Sequence, residues 1–197
     1  MQDFWLYFQL GRDHIADWKG YDHILFVIAL SLRYLLKDWK KVLVLVTAFT
    51  IGHSITLALS VLDYVSIPSR WVEFLIPVTI FITALSNVWQ KDFQFKSRFP
   101  LIYFFALFFG LIHGLGFSYY LKSLLGKETN IVGELLAFNL GLEFGQILIV
   151  TVALACSWVC VTLFKFSRRE YLLFLSGAIF GLALLMAIQR FPIINSN

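Results

Sequence analysis

Residues 131–166, IVGELLAFNLGLEFGQILIVTVALACSWVCVTLFKF, form an apolar run of about 36 residues. Roughly 20 residues are enough to cross a bilayer core, and no turn signal divides this run, so it predicts one long or tilted transmembrane helix. Glu134, Asn139, Glu143 and Gln146 interrupt its first half. The last three follow i, i+4, i+7 spacing and therefore form one polar stripe, which in a membrane turns toward a bundle interior and bonds other helices or carries a site.

The rest of the chain supplies the neighbours that such a stripe needs. Its 197 residues are 59% hydrophobic and only 14% charged, with a mean hydropathy of +0.79, too apolar for a water-soluble domain of this size. The reading is a single integral membrane domain over 1–197, all-α, a polytopic helix bundle with spans at about 21–36, 41–62, 70–89, 99–121, 131–164 and 171–189. Residues 1–18 mix Phe4, Trp5, Tyr7 and Phe8 with charges, the pattern of an amphipathic helix at the membrane interface. The opening MQDFWLYFQLG has no basic n-region of a cleavable signal, so the first span is expected to direct its own insertion.

Lys and Arg concentrate in the first, third and fifth connections, which hold four, three and three of them, against two, one, two and one in the N-terminal segment, the second and fourth connections and the tail. The positive-inside rule then places both termini on the extracytoplasmic side of a bacterial inner membrane. The same short clusters explain the net charge of +4 without a nucleic-acid partner. Neither a P-loop nor a GxGxxG is present, which argues against nucleotide-driven chemistry. Cys156 and Cys160 share one face of the long helix and read as small packing residues. Trp5, Trp18, Trp71 and Trp89 fall near the expected interfaces, as an aromatic belt does. The lipid bilayer is the one partner that composition fixes; oligomeric state is left open.

The chain has four histidines. Two sit in HIADWKGYDHILF (14–26), at the threshold of the first span, and His53 and His113 each lie inside an otherwise apolar segment. With the orientation above, His23, His53, His113, Asn139 and Glu143 all fall in the outer half of the bilayer. An ionisable side chain there costs about 2.5 to 3.5 kcal/mol on insertion scales, so it is normally turned inward and paired. Imidazole and carboxylate are ligands for zinc, nickel or iron, and two cysteines and two methionines are too few for a dedicated soft copper site. One divalent ion, zinc or nickel, is therefore expected among His14, His23, His53 and His113, with Asp22 or Glu143 as carboxylate ligand or supporting partner. Thr50, Asn139 and Gln146 would orient those ligands. Asp22 and His23 point about 100° apart on a helix, so only one of them aims squarely at the ion.

The ordered motifs GRDHIADWKGYDHILF, TAFTIGHSITLALS, FFGLIHGLGF and AFNLGLEFGQ resemble the HupE/UreJ family of bacterial membrane proteins across nearly the whole chain. The His-Ser motif and the FNLGLE segment place the similarity with the second branch of that family. The resemblance implies hydrogenase- or urease-linked accessory function or nickel permeation, with a divalent metal carried by His14, Asp22 and His23 of the first motif and by His113 of the later one. Seven residues separate His14 from Asp22, a wider spacing than in the better-known nickel permeases, and the glycine motif here holds a single histidine.

Three functions fit. A permease or accessory transporter would take a divalent cation from the outer side. An intramembrane zinc hydrolase would hold water on a three-histidine zinc, with Glu143 or Asp22 as general base and Ser54 polarising substrate or water. A metal-stabilised accessory or sensor subunit would use the ion for structure alone.

Overall fold

Among the described residues the apolar segments fold into seven α-helices and no strand. The structure is a computed structural model and describes residues 2–90, 101–124 and 131–191. Five of the described helices are long and apolar enough to cross a membrane. These are α3 (Trp39–Val61, entered through a 3-10 turn at Leu36–Asp38), α4 (Ser69–Val88), α5 (Leu101–Leu124), α6 (Ile131–Trp158, continued by a π turn at Val159–Leu163) and α7 (Arg168–Gln189). They reproduce the second to sixth expected spans as an all-α membrane bundle. The expected start of the fourth span near 99, the three basic residues of the third connection and Lys127 of the fourth lie outside the described residues.

The first expected span takes a different form. Its helix, α2, covers only Asp22–Ser31, ten residues, which at 1.5 Å per residue is about 15 Å, half of a bilayer core. The preceding helix, α1 (Gln2–Ile15), has the exposed Phe4, Trp5 and Leu6 of an amphipathic helix, but its other face is packed into the bundle. Gly11 lies so close to α6 that a Cβ there would collide with the Phe138 carbonyl, and Gly141 meets the Phe8 carbonyl in the same way. Thus α1 meets α6 around Phe138–Gly145, and α2 shares a groove with the later stretch from Leu148 to Cys156. The two short helices follow one another along α6 in one direction, as a single helix interrupted at 16–21. Asp17 causes the interruption: its carboxylate accepts the Lys19 backbone N–H at 2.9 Å, an Asx-type turn, with Gly20 following.

Glycine contacts also fix the other principal pair. A Cβ on Gly52 would strike the Leu107 carbonyl of α5, and one on Gly110 would strike the Phe49 carbonyl of α3. Later residues of α3 meet later residues of α5, so the two run parallel at backbone contact. In contrast α4 and α7 are antiparallel, with Phe74 on Phe191 and Phe81 on Phe180.

Charged side chains gather near the two ends of the long helices. At one end Arg190, past the last turn of α7, pairs with Asp22 at the start of α2, and Asp63, past α3, pairs with Lys122 in the last turn of α5. At the other, Arg33 bonds Asn87 and Ser86, Arg168 bonds the Arg33 carbonyl, and Arg169 bonds the carbonyls of Val88 and Gln90. The chain is a multi-pass membrane protein in which the end of the last described helix meets the start of α2.

Candidate metal centre

Four helices deliver one imidazole each to the break between α1 and α2. His14 stands in the last turn of α1 and His23 in the first turn of α2. His53 is in α3 and His113 in α5, carried to the same level by the glycine contacts of that pair. Ring centroids are 4.6 Å apart for His14 and His23, 6.1 Å for His14 and His53, 6.4 Å for His23 and His53, and 5.0 Å for His23 and His113. One ligand nitrogen from each of His14, His23 and His53 lies within 4.8 Å of the others. Nitrogens held tetrahedrally at the roughly 2.0–2.1 Å expected of zinc and imidazole stand about 3.4 Å apart, so binding one ion would draw the three side chains closer together.

The walls around the cluster are aromatic. Phe117 lies 4.0 Å from His14, Phe26 and Phe49 flank His113 at 4.9 and 5.2 Å, and Phe138 covers His53 at 6.3 Å. Such walls exclude water and offer no hydrogen bonds. In consequence Nε2 of His14, Nε2 of His23, both ring nitrogens of His53 and Nδ1 of His113 are buried without a hydrogen-bond partner. Each unsatisfied buried polar atom costs about 1–3 kcal/mol. Five such atoms lie on four neighbouring rings, the pattern of a ligand set in which each ring can offer one nitrogen to a divalent ion.

The carboxylates expected at the ion are engaged elsewhere. Asp22 turns away to Arg190, with one oxygen 2.5 Å from Nη1 and the other 3.4 Å from Nη2, so it braces the start of α2 while its neighbour His23 faces inward. Glu143 accepts the Thr47 hydroxyl at 2.6 Å. Gln146 accepts the Thr50 hydroxyl at 2.8 Å and keeps a buried Nε2 without a partner. Asn139 donates to the Leu135 carbonyl at 2.8 Å, inside its own helix. The Ser54 hydroxyl likewise donates to the Thr50 carbonyl at 2.7 Å, the back-bond commonly made by serine in a helix. Glu143 and Gln146 of the polar stripe therefore form a seam with Thr47 and Thr50 of α3, about two turns and one turn before His53.

Two residues that the sequence did not single out touch the site. Thr79 of α4 lies 2.8 Å from Nε2 of His113, and Arg190 holds Asp22. Thr79 and Thr83, four apart in an apolar helix, were a visible polar pair; nothing in the sequence linked residue 190 to residue 22.

With the geometry in place, comparison with known proteins adds one decisive match: a family model described as HupE / UreJ protein fits residues 1–191. The chain belongs to the HupE/UreJ family. Membership spans every helix described above, so all four histidines lie within the HupE/UreJ match. None of the curated proteins and none of the solved structures compared matches the chain.

Proposed function

We propose that this HupE/UreJ protein binds a divalent transition-metal ion, of the nickel type, as cargo in the outer half of the membrane and serves as a permease or accessory transporter for it. The observation that carries the reading is the set of five buried, unpartnered imidazole nitrogens at the break in the first helix. Neutral imidazole suits nickel and zinc, and His14, His23 and His53 are the ligands, with His113 beside them. The family is linked to nickel accessory and permease roles, which agrees.

Two further features favour movement of the ion. Helices interrupted within a bundle are a recurring way in which transporters expose ligands at depth. The seam of Thr50 with Gln146 and Thr47 with Glu143 offers oxygen ligands along α3 beyond His53. By the positive-inside rule the arginine-rich end is cytoplasmic, which sets the termini and the Asp22–Arg190 pair on the outer side of a bacterial inner membrane. The zinc-hydrolase alternative has less support, because the Ser54 hydroxyl is committed to its own helix and both expected bases, Asp22 and Glu143, hold other partners.

The test pairs metal analysis of purified wild type and His53→Ala with nickel and zinc uptake into proteoliposomes. Saturable uptake by wild type, lost in His53→Ala, is the expected result. Protein that retains stoichiometric metal and moves none defeats the permease reading.

A further inference from the structure

We infer that Thr79 is a positioning residue that presents Nδ1 of His113 to the ion as a fourth nitrogen. The inference rests on the metal reading for its consequence, while its geometry stands alone. Thr79 is 2% exposed and its Oγ1 has two close partners, the Ile76 carbonyl oxygen at 2.7 Å and Nε2 of His113 at 2.8 Å. A hydroxyl has a single hydrogen, and a carbonyl oxygen only accepts. That hydrogen goes to Ile76, so Oγ1 accepts from His113, and Nε2 carries the N–H. A neutral imidazole has one N–H, which leaves the lone pair on Nδ1.

Nδ1 of His113 is buried and without a partner, and its ring meets that of His23 edge-on with centroids 5.0 Å apart, beside the tighter group of His14, His23 and His53. Opposite hydrogen placement would aim an N–H at the histidine cluster and repel a cation. Thr79 thus acts on the ion through His113, as outer hydrogen-bond partners of metal-binding histidines commonly do. Its place in the fold suits this role, since α4 supplies no imidazole and Thr79 lies two residues past Pro77 on a buried face.

The experiment uses full-length protein labelled with 15N at histidine, metal-free, in nanodiscs, as wild type, Thr79→Val, Thr79→Ser and His113→Ala. The last assigns the His113 signals. Wild type and Thr79→Ser are expected to show His113 with hydrogen on Nε2, and Thr79→Val a mixture or the other form. Cobalt(II) affinity, read by chelator competition and by the visible absorption of the bound ion, should fall about 10- to 100-fold in Thr79→Val and recover in Thr79→Ser. In a His113→Ala background Thr79→Val should cost nothing more.

Hydrogen on Nδ1 of His113 in wild type overturns the inference, as does unaltered cobalt affinity in a folded Thr79→Val. If Thr79→Val does not fold, failure of Thr79→Ser to keep wild-type affinity and absorption overturns it instead. Wild type that shows the expected hydrogen placement yet binds no cobalt defeats the metal reading, and with it the role for Nδ1, while leaving the Thr79 hydrogen bond standing.

Discussion

Arg190, at the end of α7, grips the carboxylate of Asp22 at the start of α2 across 168 residues of sequence, with a closest approach of 2.5 Å. The pair ties the last helix to the short one that holds His23, and Asp22 is buried enough to depend on it. Removing one partner leaves the other charge uncompensated. Asp22→Asn and Arg190→Gln should each lower stability by about 1.5–3 kcal/mol, the range for hydrogen bonds to charged groups, and together by less than the sum. Thermal unfolding in detergent measures this. Equal, partial losses of metal affinity would mark the pair as a brace; a far larger loss in Asp22→Asn alone would make Asp22 a ligand.

The histidines should separate from the carboxylates in metal binding. His23→Ala and His53→Ala each remove a converging nitrogen, and affinity for nickel or zinc should drop on the order of 100-fold or more, beyond the loss typical of supporting residues. Glu143→Gln keeps the hydrogen bond to Thr47 and should bind metal as wild type does. Equilibrium dialysis with metal analysis gives both results.

Docking of α1 on α6 is needed to bring His14 to the others. Gly141→Val would force the Phe8 carbonyl away, at about 1–3 kcal/mol of overpacking, and should weaken metal binding as much as His14→Ala does. Gly177 has nothing within 4 Å of its missing Cβ, so Gly177→Ala should be neutral or slightly stabilising. Thermal unfolding and metal titration of the two glycine variants side by side check the contrast.

Ser54→Ala deletes only a back-bond to Thr50. Stability should change by no more than about 0.5 kcal/mol, with metal uptake unaffected. A hydrolytic activity in wild type abolished by this substitution would revive the hydrolase reading.

Apolar length and polar interruptions alone determined that this chain is an all-α membrane bundle, where five of its helices run, and that four histidines in such a setting need a shared purpose. Those conclusions rest on local costs, the burial of a charge or an imidazole in hydrocarbon, which any neighbour must answer. The tertiary structure decided what those costs leave undetermined. Residues 21–36 read as a span because they are largely apolar, yet α2 ends at Ser31 and α1 completes the path along α6, through glycine contacts that no periodicity reveals. Asp22 stood beside His23 in sequence and looked like a ligand, but adjacent side chains on a helix diverge by about 100°, and which of the two faced the cluster depended on Arg190 lying opposite. Likewise, the hydrogen on His113 depends on Thr79, which comes from another helix. Partners across the bundle chose among roles that the local chemistry allowed equally.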